Sequence, residues 1–193
     1  AFYVDACKDR IYCDGENAPA RRSAQTTMHE VLGALTRWVA PILAFTAEEA
    51  WKATPGAKGS SIHLEKFHEV GWPTGWSSEE DSKWEKILQA RGKVNEALEE
   101  QRKAKKIGKS LEAEIRLEGG GLRQEDSGLM EEVCLVSRLE IAGGAGEIVV
   151  QVAPARGIRC ERCWKHGEGV GQHSAHPTLC GRCAEGVAAG EKR

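Results

Sequence analysis

The sequence predicts a mainly α-helical chain that passes into a small α+β unit and a cysteine-stapled tail. Three observations carry that expectation. Apolar residues recur at three-and-four spacing through the N-terminal half, as in helices with one buried face. Past Gly108 the period drops to two, as in half-buried strands. Near the end, Cys160 and Cys163 precede Cys180 and Cys183, two Cys-x-x-Cys knuckles with sixteen residues between them. That spacing brings four thiolates to one tetrahedral Zn2+. The expected architecture is a helical bundle over 1–78, a long connecting helix over 79–107, a small α+β unit over 108–153 and a four-cysteine zinc ribbon or finger over 154–193.

Each element has a local cause. Phe2 to Tyr12 is amphipathic and reads as the first helix. From Arg21 to Val39 the stripe Ala24, Met28, Val31, Leu32, Leu35, Trp38 and Val39 predicts a second, and Pro41 interrupts it. Thr46 with Glu49 three residues later makes a capping box, so a third helix is expected to start there and to stop before Pro55-Gly56. The stretch 56–78 mixes Gly, Pro and Ser with Trp72 and Trp76 and reads as an irregular connection folding back on the helices. Ser78 opens a long polar helix to about Lys106, with Trp84, Ile87, Leu88, Val94 and Leu98 on one side. Leu111, Ala113, Ile115 and Leu117 alternate as a strand, followed by the Gly119–Gly121 turn. A short helix over 125–135 and strands over 137–142 and 148–153 complete the middle section. No period of 20 to 50 residues repeats.

Composition excludes more than it names. With 27 basic and 29 acidic residues among 193, global charge points to no partner. From Ala153 onward seven Lys or Arg face four Glu, a local basic surplus that four thiolates and one Zn2+ reduce. No run of eighteen apolar residues exists and no cleavable leader is visible, so no membrane role is expected and the cytoplasm is the default. Seven cysteines, with Cys7, Cys13 and Cys134 scattered, fit a disulfide framework poorly and read as buried reduced thiols outside the knuckles. The chain begins with Ala1 directly in an amphipathic segment and reads as a piece of something longer.

The tail's surroundings set its expected use. A zinc ion with four sulfur ligands has no open position for water or substrate, so it holds a fold together. Arg156, Arg159, Arg162, Lys165 and Arg182 crowd the knuckles, Lys192 and Arg193 close the chain, and Trp164 follows the second cysteine. Cations attract phosphates, and an aromatic face can stack on an unpaired base. A solvated surface with Trp164 covering the metal site is the competing reading. His166, His173 and His176 lie between the knuckles as alternative ligands, whereas His29, His63 and His68 stand alone. Lys106-Ile107-Gly108-Lys109-Ser110 superficially resembles a phosphate loop, but Lys103 occupies the required glycine position and the order is helix then strand. No Ser-His-Asp, Cys-His or paired-carboxylate arrangement stands out, so no catalytic residue is assigned.

Arg37-Trp38-Val39-Ala40-Pro41-Ile42-Leu43-Ala44-Phe45-Thr46-Ala47-Glu48-Glu49-Ala50-Trp51 resembles the hallmark helix of the anticodon-binding domain of isoleucyl-, valyl- and leucyl-tRNA synthetases. Phe2 to Asp5, Lys8 to Tyr12 and Ala20 to Gln25 narrow the likeness to bacterial isoleucyl-tRNA synthetases, class I ligases. Gly108 to Ala113, Arg159 to Trp164, Leu179 to Cys183 and Gly190 to Arg193 resemble their C-terminal extension. The resemblance implies a tRNA-binding fragment of an enzyme that joins isoleucine to its tRNA with ATP, its catalytic and editing domains upstream of Ala1. It implies one structural Zn2+ on Cys160, Cys163, Cys180 and Cys183, and ATP only in the missing catalytic domain. The anticodon stem-loop of isoleucine tRNA is the implied partner, with Trp164 stacking on a base, Arg159, Arg162, Lys165 and Arg182 near phosphates or base edges, and Arg37 as a further contact. A monomer with no DNA partner is expected. The resemblance implies Trp38 as a contact beside Arg37, with packing in the buried stripe as its competing role. The helical domain would lack its first helix, leaving an apolar face uncovered. The alternatives are a stand-alone zinc ribbon that docks a protein or DNA, and a redox protein using the Cys-x-x-Cys pairs.

Overall fold

A computed structural model describes residues 2–56, 59–68 and 75–191. The chain divides into two compact units, Pro19–Trp76 and a second formed by Ala1–Ala18 with Ser77–Arg193. The division falls between Trp76 and Ser77, at the start of the long helix, and the first eighteen residues group with the C-terminal portion. Trp72, Lys192 and Arg193 lie outside the described residues.

The Pro19–Trp76 unit is a helical hairpin. Helix α1 (Phe2–Cys13) belongs to the other unit, and α2 (Pro19–Val39) opens this one with proline at its first position, where no N–H is needed. It ends at Val39 because Pro41 cannot continue the ladder, and the Leu43 N–H turns back to the Val39 carbonyl at 2.7 Å. That tight turn starts α3 (Ala44–Ala53) two residues before the capping box expected at Thr46. Leu43 is the N-cap and makes no side-chain cap bond, so Thr46 lies inside the first turn. Glu48 instead reaches forward, accepting from Ser61 Oγ at 2.8 Å and from the Ile62 N–H at 3.1 Å. Ala40, Ala47, Trp51 and Ile62 form the small core. The expected buried stripe of α2 is corrected by the structure: Ala24 is buried as expected, but Val31, Leu32, Leu35 and Trp38 are exposed, and Ala34 and Thr36 are buried in their place. Trp76, expected to fold back, is 41% exposed.

The other unit carries the main core. Helix α4 (Ser78–Lys103) is capped by Ser77, whose side chain accepts from the Glu80 N–H, and has acids in its first turn and bases in its last. It ends with Lys105 in the left-handed region (φ 57°) and the Lys106 N–H returning to the Gln101 carbonyl at 3.0 Å. Strand β1 (Ala113–Glu118), helix α5 (Ser127–Cys134) and strand β2 (Arg138–Gly143) follow as a parallel β-α-β unit. Strand β3 (Val149–Pro154) then pairs antiparallel to β1, giving the order β2-β1-β3. Ile87, Ala90, Val94 and Leu98 of α4 meet Ala113, Ile115 and Leu117 of β1, Met130 of α5, and Leu139 of β2. The alternation that marked β1 in the sequence is thus its burial pattern.

The tail adds a two-stranded pair, β4 (Ile158–Arg159) and β5 (His166–Gly167), and the final helix α6 (Gly181–Glu191). Gly157 enters β4 at φ 86°, where a Cβ would lie 2.3 Å from the Gly167 carbonyl carbon, so only glycine fits this approach. No described helix is long and apolar enough to cross a membrane.

Candidate functional site

The hairpin between β4 and β5 shapes the first knuckle. The Cys160 N–H bonds to the Lys165 carbonyl and the Trp164 N–H to the Cys160 carbonyl, each at 2.9 Å, which turns Cys160 and Cys163 toward the same point. The second knuckle sits at the start of α6, where Cys183 follows Cys180 within one turn. All four sulfurs lie within 4.8 Å of one another, and the Cys163 and Cys180 sulfurs are 3.9 Å apart. Tetrahedral Zn–S bonds of about 2.3 Å place sulfurs roughly 3.8 Å apart, so the donor set fits one structural zinc. The expected histidine alternatives do not join it: His173 and His176 stack on each other at 5.5 Å.

The thiols are biased toward metal binding from one side. Burial opposes the Cys160 thiolate, but N–H groups of Cys163, Cys180 and Arg162 outweigh it and bring the thiol down to about 6. Burial pushes Cys163 up to about 11 and raises Cys183 as well. Zinc must therefore displace protons from at least these two. Cys7, Cys13 and Cys134 are buried free thiols, as the sequence indicated, and burial carries Cys134 up to about 12.

Trp164 stands out of this knuckle under constraint. Its φ is +65°, a region costly for a bulky side chain and one that glycine would occupy without strain. Its indole N–H is held by the Glu161 carbonyl at 3.1 Å, which pins one edge of the ring. The residue remains 53% exposed, so the ring is a fixed, open surface rather than a plug over the sulfurs. The ammonium of Lys109 lies 5.4 Å from the ring centroid.

The predicted cations are placed unequally. Arg182 grips the end of α1, donating to Asp9 on the helix at 2.6 Å and to Asp14 just past it at 2.9 Å, and Lys165 approaches Asp9 at 3.6 Å. Arg162 donates to the Tyr12 carbonyl at 3.2 Å, and the Cys13 thiol to the Arg162 carbonyl at 3.6 Å. Gly186 of α6 has no room for a Cβ beyond 3.0 Å from the Cys13 carbonyl, so the two helices meet closely. Burial alone would raise the Asp9 carboxyl, yet Arg182 and Lys165 hold it below its ordinary value. Arg156 pairs with Glu114 at 3.1 Å. Arg159 is exposed on β4 and makes no ion pair among the described residues. Arg37 lies in the other unit, stacked 4.7 Å over Trp51 and paired with Glu65 at 3.6 Å.

Sequence reasoning missed Asp9 and Asp14 as the docking partners of the tail, and passed over Lys109 when the phosphate-loop reading failed. The only signal for Asp9 and Asp14 was their place on one end of a short amphipathic helix; nothing local ties them to residues some 150 positions or more away.

Two family descriptions match the chain in separate stretches, and known proteins match nearly all of it. The family described as the anticodon-binding domain of tRNA ligase matches residues 1–117, and the zinc finger found in FPG and IleRS matches residues 157–186. An isoleucine–tRNA ligase of Methylacidiphilum infernorum is 44% identical over 95% of this chain and 20% of its own length. One from Dichelobacter nodosus is 42% identical over 98% of this chain and 21% of its own. One from Geobacter sulfurreducens is 40% identical over 97% of this chain and 22% of its own. The chain thus spans about a fifth of the length of the curated relatives it matches. With that match across its helices and a zinc-finger match at its cysteines, the chain belongs to the family of tRNA-ligase anticodon-binding domains.

Proposed function

We propose that this chain is the C-terminal, anticodon-reading portion of an isoleucine–tRNA ligase, acting in the cytoplasm on the anticodon stem-loop of isoleucine tRNA. The ATP-dependent joining of isoleucine belongs, in this reading, to the parts of the longer relatives that the chain does not span. The carrying observation is Trp164, an exposed ring that a strained backbone and the Glu161 carbonyl hold at a fixed angle beside the metal centre. A rigid aromatic face next to cations suits an unpaired base followed by its phosphate, and single-stranded loops are where proteins obtain RNA sequence specificity.

The roles divide according to what each cation already holds. Trp164 stacks on an anticodon base, and the unpaired Arg159 meets a phosphate. Arg162, Lys165 and Arg182 fix the module on α1 and add positive potential around the ring. Arg37, covering Trp51, supports its own helical hairpin instead. Base stacking on an aromatic side chain contributes about 1–3 kcal/mol, so Trp164→Ala should weaken binding to the cognate stem-loop by about tenfold or more. A gel shift with cognate stem-loop, noncognate stem-loop and duplex DNA at two salt concentrations tests this. Equal loss on all three nucleic acids, or binding blind to the anticodon, favours a stand-alone zinc module with another partner.

A further inference from the structure

A cleft of about 700 Å3 opens within the larger unit between α1, the turn over 108–111, the end of α5 and the first zinc knuckle. Its volume lies in the range of small-ligand sites, and its walls are mainly apolar. Tyr12, Leu135 and Trp164 supply apolar surface, and Lys8, Lys109 and Lys165 stand among its lining.

The charges around this cleft are mostly engaged. Asp5 pairs with Lys8 at 2.7 Å, Asp9 with Arg182 and Lys165, and Glu132 with Arg10. Glu131 accepts from the Leu139 N–H at 3.0 Å. Arg102 holds Glu99 and donates to Ser110 Oγ at 2.5 Å. Glu112 turns its carboxylate to the Gly108 N–H at 2.7 Å. Those last two bonds fix the Gly108-Lys109-Ser110 turn at both ends. Lys109 is left with its ammonium over the Trp164 ring and makes no ion pair among the described residues. The lining acids are thereby engaged, and the cleft offers beside one flat apolar face a cation that makes no ion pair among the described residues, although it lies in the field of the Glu112 carboxylate.

We propose that this cleft takes a single unpaired nucleotide of RNA, with its base on Trp164 and its phosphate on Lys109. The inference rests on the anticodon-reading function proposed above and assigns to Lys109 a role that no nucleotide-loop motif requires. An exposed cation–π contact is weaker than base stacking, so an arriving base displaces the ammonium from the ring and the flexible side chain swings to the phosphate. Lys109 thus occupies the stacking face in the free protein and becomes a phosphate contact in the complex.

The test is a fluorescence-anisotropy titration of the zinc-loaded chain with the labelled anticodon stem-loop of isoleucine tRNA over a series of KCl concentrations. Lys109→Ala should weaken binding equally for cognate and noncognate loops. It should also flatten the slope of log K against log salt by about 0.7, the loss of one single-strand phosphate contact. Lys109→Arg should restore both. A Lys109→Ala slope equal to that of the unaltered chain, while Trp164→Ala still loses binding, overturns the cleft and leaves anticodon reading standing. A loss that Lys109→Arg fails to restore also counts against the phosphate contact. No RNA binding by the unaltered chain overturns both.

Discussion

The two compact units bury their apolar faces to very different degrees. Around α4 and the three-stranded sheet, Ile87, Leu98, Leu117, Met130 and Leu139 are all under 2% exposed. Along α2 and α3, Leu35, Trp38, Ile42 and Phe45 lie open, Phe45 at 88%. Both regions announce helices with the same three-and-four apolar spacing. Periodicity therefore reports that a face is apolar but not what covers it: α4 has a sheet to lie on, whereas among the described residues the α2–α3 hairpin shares the small core of Ala40, Ala47, Trp51 and Ile62. The larger unit also has a second, separate source of order in the cysteine cluster, which packs Cys13 and Val170 around its sulfurs.

The largest effect should come from stripping that metal. Structural zinc contributes on the order of 10 kcal/mol in small modules, so chelation should abolish amide-exchange protection from β4 through α6 while β1 to β3 keep theirs. Uniform loss across both would mean that the sheet and the zinc module are one cooperative body. Zinc affinity should also fall as pH is lowered, because the Cys163 and Cys183 thiols, pushed up by burial, must lose protons to bind, and it should fall more steeply below about 6, where the Cys160 thiol is protonated as well.

A pair of leucines sharpens the contrast between units. Leu117→Ala, at a fully buried strand position, should cost about 3 kcal/mol in urea unfolding; Leu35→Ala, on the open face of α2, should cost about 0.5 kcal/mol or less. Similar costs at both sites would show that the α2 face is covered in solution.

A smaller effect is expected at the joint between α1 and the tail. Asp9→Ala removes the common acceptor of Arg182 and Lys165, and should cost about 2 kcal/mol, less than a fully buried pair because Arg182 is partly solvated. The Asp9 carboxyl is depressed in the fold, so its contribution is present above the ordinary carboxylate value of 3.8 and is lost as pH falls through the lower folded value. Acid melts of the variant should therefore lack a transition that the unaltered chain shows in that window.

Much of this was legible in the residues. The knuckle spacing named the four cysteines that cluster, the period change at Gly108 placed β1, and Ser78 was read as the start of α4. Three features were not. The start of α3 was misplaced because a capping box is local, while the Leu43 N–H bond to Val39 that begins the helix depends on how Pro41 turns the chain. The α2 stripe was expected to be buried because pattern carries no information on neighbours. The tie between Asp9 and Arg182 spans 173 positions, and Lys109 reaches the Trp164 ring only through the fold. Long-range electrostatic contacts leave no spacing to read.

In the proposed function the Trp164 ring is kept for RNA rather than for the fold, and Trp164→Gly tests that division most directly. Glycine removes the cost of the left-handed backbone at this position, so zinc content and thermal midpoint should hold close to those of the unaltered chain. Affinity for the isoleucine tRNA anticodon stem-loop should drop about tenfold or more, with little change for a charge-matched duplex. Retained stem-loop affinity, or an equal drop on both nucleic acids, would contradict the account.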